Sequence, residues 1–252
     1  MAIIKPFKAY RPVKELASKI AALPYDVMNT EEAREMVEEN EYSFLHVDRG
    51  EINFPGKVNI YSEEVYKKSR EVLDEMIEKK YYIQDENQCF YIYRQTMNGK
   101  SQIGLVMCAS VDDYINNIIK KHEKTRADKE RDRINHVDYC DAHTGPIFLT
   151  YRENYGISKI IDESIKEEPV YDFISEDGNG HTVWVINDEE KINKLIHLFK
   201  DVKYMYIADG HHRTKSAVEV CLKRRKENPN YNGTEGFNYF LAIAYPDSEL
   251  EV

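Results

Sequence analysis

The stretch 206–217, YIADGHHRTKSA, sets two histidines and an arginine directly behind an Asp-Gly step, after a short apolar run. Residues 204–208 are β-prone and residues 214–225 carry a helix-forming composition. Asp209-Gly210 therefore reads as a tight strand-to-helix turn. A helix N-terminus leaves backbone N–H groups unpaired and carries partial positive charge, so anions bind there readily. Gly210 lets the backbone approach a ligand, and Arg213 could clamp one in bidentate fashion. With Asp209, His211, His212 and Thr214 they form a candidate phosphate cradle. The alternative is a well-made turn whose histidines cap the helix.

A second concentration of charge lies at 120–133, KKHEKTRADKERDR, with seven Lys/Arg and four Asp/Glu. If this stretch is helical, His122, Arg126, Lys129, Arg133 and His136 follow at i, i+4, i+7, i+11 and i+14. They then fall within roughly 80° of arc. Like charges at i,i+4 spacing repel by a few tenths of a kcal/mol per pair, a repulsion that an anionic partner would offset. His122 and Arg126 are the catalytic candidates of this stripe; Lys129, Arg133 and His136 are its phosphate-binding ones. The competing reading is a solvated helix laced by side-on pairs such as Glu123 with Arg126. The turn at Thr144-Gly145-Pro146 would set the stripe beside a strand end.

Two adjacent histidines on a helix point about 100° apart and chelate one ion poorly. H-E-x-x-H is absent, and no residue is assigned as a metal ligand. Asp26, behind Pro24-Tyr25, sits between two helices, where loops carry chemistry. It is the candidate general base for a substrate hydroxyl, as a kinase needs, against the plainer reading of a turn or cap. His46 and Asp48 are weaker candidates of the same kind. There is no Walker A motif, no G-x-G-x-x-G and no G-x-S-x-G elbow.

These residues must be positioned by a fold, and the rest of the chain is consistent with one. Its 252 residues suffice for a real core, with 42% hydrophobic and 32% charged residues. The net charge of −10 argues against a broad nucleic-acid face. No signal peptide or membrane span is read from the sequence. The four cysteines lack any C-x-x-C pair, which fits a reducing cytoplasm. Helices are predicted at 12–23, 30–39, 62–80, 156–167 and 188–202. Strands are predicted at 43–48 (SFLHVD), 146–151, 170–174, 181–186 and 237–245. Residues 89–96 and 101–110 flank Asn98-Gly99, the strongest hairpin signal in the chain. A two-residue turn there pairs residues summing to 197, so Tyr91 faces Val106, Ile92 faces Leu105 and Cys89 faces Cys108. Apolar residues on both faces place this hairpin inside a sheet. The cysteine pair is read as two reduced thiols, a cross-strand disulfide being the alternative.

The opening MAIIKPFKAYRP with LPYDVMNTEEA, then SFLHVD, FYIYRQ, KKHEKTRADKERDRI and IADGHHRTKSA, resembles the family catalogued as domain of unknown function 1015, over essentially the whole chain. Members of that family are typically longer, so residues 1–252 are read as one domain, the front part of a longer protein. The Asp-Gly-His-His-Arg step is in turn similar to a motif of the ParB/sulfiredoxin superfamily, whose matching loop holds nucleotide phosphates. That superfamily includes free-serine kinases using ATP or ADP with magnesium. This resemblance implies that Gly210, His212 and Arg213 match the phosphate loop, with Asp26 the nearest candidate for the catalytic base.

The resulting expectation is a cytoplasmic α+β protein, a mixed sheet with helices packed around it and a ParB/sulfiredoxin-like nucleotide-binding core. It would transfer phosphate from ATP or ADP, with Mg2+, to a small hydroxylated metabolite such as L-serine. It would bind neither nucleic acid nor membrane, and the sequence does not give its oligomeric state. A nucleotide-binding switch without catalysis, and a hydrolase of a phosphorylated metabolite such as phosphoserine, are the alternatives.

Overall fold

Asn98 and Gly99 both take positive φ, 53° and 78°, the geometry that a two-residue hairpin turn needs to match strand twist. They join β4 (Phe90–Met97) to β5 (Lys100–Ser110), with Tyr91 opposite Val106 and Ile92 opposite Leu105 as the spacing predicts. The structure, a computed structural model, describes residues 1–123 and 127–250, without the side chains of 127–129. The other strands are β1 (Ile4–Lys5), β2 (Tyr10–Pro12), β3 (Tyr82–Gln84), β6 (Ile119–Lys120), β7 (Ile147–Tyr151), β8 (Tyr171–Ile174), β9 (Gly180–Ile186), β10 (Met205–Asp209) and β11 (Tyr239–Pro246).

The main sheet runs β6-β10-β7-β11-β5-β4-β9-β8, with β1 also on β5. It is mixed: β6 is parallel to β10, and β7 to β11, while the other pairs are antiparallel. The hairpin and β11 lie inside it, buried as their apolar composition requires. β2 and β3 form a separate small sheet.

The helices are α1 (Ala17–Ile20), α2 (Thr30–Val37), α3 (Leu45–Asp48), α4 (Glu63–Glu78), α5 (Val111–Ile115), α6 (Ala127–Cys140), α7 (Tyr155–Ser164), α8 (Glu189–Phe199) and α9 (His211–Glu227). Asn29 and Glu32 make the reciprocal capping box that opens α2. The main core packs the sheet against α7, α8 and α9 through residues such as Leu149, Phe199, Val218 and Phe240. α1–α4 form a front layer with two small cores of its own, one around Ile20, Val47 and Leu73, the other around Ala33, Leu45 and Ile52. Cys140 joins the first of these cores, so α6 packs on α4 as well as on α9. The architecture is α+β, as expected. No helix among the described residues is long and apolar enough to cross a membrane.

Four sequence expectations are corrected. SFLHVD is not a strand: Leu45–Asp48 is a helical turn. Leu45 and Val47, two residues apart, lie about 200° apart on a helix and enter the two different front cores. This gives a strand-like alternation without a strand. The helix at 12–23 shrinks to a 3-10 turn at Lys14–Leu16 and α1, because Tyr10–Pro12 pairs with β3. Cys89 and Cys108 do not face each other. β1 occupies the edge of β5 there, so Cys108 pairs with Lys5, Cys89 bridges to Phe7, and all four cysteines are free. Finally, Ile119–Lys120 pairs with β10 and His122 and Glu123 behind it are not helical, so His122 is not on α6, the helix that carries Arg133 and His136.

Candidate functional site

β10 ends at Asp209, and Gly210 turns the chain with φ 88°, a left-handed conformation open to glycine at little cost. No side chain caps α9. Its first backbone hydrogen bond runs from Thr214 N–H to the Gly210 carbonyl at 2.8 Å, so the N–H groups of His211, His212 and Arg213 lead out of the helix end. Thr214 is fully buried, and its hydroxyl donates to the same carbonyl at 2.9 Å. Arg213 folds back over the turn. It donates to the Asp209 carboxylate at 2.5 Å and to the Pro146 carbonyl.

His211 is buried, and its ring meets His122 edge-on at 4.5 Å between centroids. Its Nδ1 lies 3.5 Å from the Glu123 carboxylate. Burial, reinforced by His122, pushes the His211 pKa down, which favours the neutral ring. His211 Nε2 and His212 Nδ1 are buried without a hydrogen-bond partner. Among the described residues no group of three or more His, Cys, Asp or Glu could hold a metal ion.

A cavity of about 220 Å³ lies between the front layer and α6. Its wall includes Asp26, Asp48, Arg49, Ser69, Arg133 and His136. Arg49 ties the front loop together. One Nη donates to the carbonyls of Tyr25 and Met28 at 2.8 and 3.0 Å; the other meets Thr30 Oγ1 at 3.1 Å and Glu51 at 2.8 Å. Arg133 is buried, pairs with Asp132 at 2.8 Å and stacks 3.9 Å over the Tyr25 ring. Burial opposes its charge, but Asp132, Tyr25 and Asp48 outweigh that and raise its pKa. His136 is 2% exposed, 3.5 Å from Asp48 Oδ1 and 3.3 Å from Thr144 Oγ1. Burial, then Arg133, lowers its pKa.

The sequence candidates therefore fall into two neighbouring groups. Asp209, Gly210, His211, His212, Arg213, Thr214 and His122 gather at the start of α9, while Asp26, Arg133 and His136 line the front cavity. Arg126 lies outside the described residues, and Lys129 stands in α6 with its side chain outside the description. Tyr25 joins the groups: burial raises its hydroxyl pKa, and the charges of Arg133, Asp26 and Arg213 all act on it. Sequence reasoning missed Tyr25, Arg49, Glu51 and Ser69. The signal was Gly50, between a cation and an acid. A Cβ there would stand 2.5 Å from the Val65 carbonyl oxygen, so glycine alone lets this turn close onto α4.

The chain belongs to the family described as protein of unknown function (DUF1015), whose model matches residues 4–252. No curated protein and no solved structure matches it.

Proposed function

We propose that this member of the DUF1015 family is a nucleotide-dependent phosphotransferase acting on a small hydroxylated metabolite, with L-serine the first acceptor to try. The observation that carries the reading is Tyr25, which stacks under the cavity's Arg133 and lies within the field of the turn's Arg213. An uncapped helix end suited to phosphate thus adjoins a polar cavity suited to a small acceptor.

In this reading ATP or ADP is bound with its phosphates at the N–H groups of 211–213, and the imidazoles of His211 and His212 supply further hydrogen bonds. Arg213 exchanges its bonds to Asp209 and Pro146 for phosphate oxygens, and Arg133 neutralises charge on the moving phosphoryl group. Magnesium, held mainly by nucleotide oxygens and water, needs only one or two carboxylates from the chain, and the cavity wall has them. Phosphoryl transfer is mostly positioning and charge stabilisation, so a carboxylate that orients the hydroxyl completes the set. A ParB/sulfiredoxin-like nucleotide-binding core and a cytoplasmic setting belong to the same proposal.

The test is acceptor-dependent nucleotide turnover, read as release of ADP from Mg-ATP or of AMP from Mg-ADP by the full chain with and without L-serine and related hydroxylated metabolites. Release that rises with one acceptor and is lost in Arg213→Ala is the expected result. Nucleotide binding without turnover on any acceptor would favour a regulatory switch. Phosphate release from phosphoserine alone would favour a hydrolase.

A further inference from the structure

Four carboxylates line the front cavity, and its two arginines neutralise two of them. Glu51 pairs with Arg49 at 2.8 Å, and Asp132 pairs with Arg133 at 2.8 Å while accepting the Tyr66 hydroxyl at 3.0 Å. Asp26 is exposed at the mouth. Asp48 remains. No arginine among the described residues pairs with it: its side chain is 14% exposed, and its Oδ1 is buried beside His136 Nε2 at 3.5 Å, too long for a good hydrogen bond. Two other atoms of the same wall, Ser69 Oγ and Arg49 Nε, are also buried and unpartnered. Buried polar atoms without partners are rare in folded proteins and call for an explanation. Here three of them, a carboxylate acceptor, a cationic donor and a hydroxyl, belong to residues that line one small cavity. They match a small molecule that both donates and accepts hydrogen bonds.

We propose that Asp48 is the catalytic carboxylate that takes the acceptor's hydroxyl proton; this rests on the phosphotransferase reading above. The acceptor oxygen forms the new O–P bond as the bridging O–P bond of the nucleotide breaks. The shortened nucleotide leaves with that electron pair, and the hydroxyl proton passes to the Asp48 carboxylate. Kinase aspartates do this with the acceptor hydroxyl held in place. His136, with Nε2 3.5 Å from Asp48, is the positioning residue behind it.

The experiment compares the full-length wild type with Asp48→Asn and Asp26→Asn, using Mg-ATP and Mg-ADP as donors and whichever hydroxylated metabolite the wild type phosphorylates. Asp48→Asn is expected to lower kcat at least 100-fold, with the nucleotide Kd within threefold and the thermal transition retained. Asp26→Asn is expected to lower kcat by less than tenfold. Wild-type-like kcat in Asp48→Asn, or the reverse ranking of the two variants, overturns the assignment and leaves the transferase reading standing. Should Asp48→Asn not fold, Asp48→Ser carries the same expectation; if neither folds, Asp48 is structural and the proposal falls. A wild type that phosphorylates nothing overturns the transferase reading, and the assignment with it.

Discussion

The turn before α9 and the loop in front of the cavity hold their shapes in different ways. The first is set by regular elements: β10 lies between β6 and β7, and α9 packs on the main core. The second contains no regular element between Ile20 and Thr30. Its carbonyls at Tyr25 and Met28 hang on one guanidinium, Arg49, which is itself held by Glu51. The phosphate half of the proposed site therefore owes its geometry to the sheet, and the acceptor half to a buried ion pair. Arginines in the two halves should accordingly fail differently when removed.

The largest effect is expected at Arg49. Both side chains of its pair are nearly buried, 13% and 6% exposed, and stranding one buried charge typically costs about 3 to 5 kcal/mol. Arg49→Ala should lose stability on that scale in urea unfolding; a loss under about 1 kcal/mol would mean that the loop is held by something else. Next comes Gly50→Ala, whose new methyl meets the Val65 carbonyl oxygen. Overpacking of this kind costs about 1 to 3 kcal/mol, and an unchanged midpoint would show that α4 can retreat.

Arg213→Ala sharpens the contrast. Its partner Asp209 is 69% exposed, so stability should change by less than about 1 kcal/mol. Nucleotide affinity, measured by calorimetry, should nevertheless fall more than tenfold. Loss of stability with affinity retained would make Arg213 a brace of the turn and nothing more.

The smallest effect is a pH dependence. Burial depresses the His136 pKa, so the unfolded chain takes up a proton below its ordinary value of about 6.5 and the folded one only at lower pH. The stability tied to this histidine is complete above that pH and declines as pH falls through it. His136→Gln should flatten the acid side of the stability profile. An unchanged slope would assign the dependence to other groups, with His211, also depressed, the first to examine.

The same contrast explains what could be read in the sequence. The Asn98-Gly99 register and the strand-turn-helix around Gly210 follow from local rules, and both are seen in the fold. The front layer does not follow such rules. SFLHVD alternates because two small cores lie on opposite sides of one helical turn, and a periodicity argument reads that as a strand. The spacing of the charged stretch at 120–133 fits one helix. In the fold, Lys120 pairs with β10, His122 meets His211, and Arg133 with His136 faces the cavity. Arg49 and Glu51 stayed hidden because nothing local shows that an Arg-Gly-Glu step closes against Tyr25, 24 residues away.

The central claim, that the turn and the cavity are two halves of one phosphotransfer site, is tested most directly by ³¹P NMR of the full-length protein with ATP or ADP, magnesium and L-serine or a related hydroxylated metabolite. The account predicts a new phosphoester resonance that vanishes both in Arg213→Ala, from one half, and in Asp48→Asn, from the other. A resonance that survives both substitutions, or nucleotide that binds and stays intact with every acceptor, would contradict it.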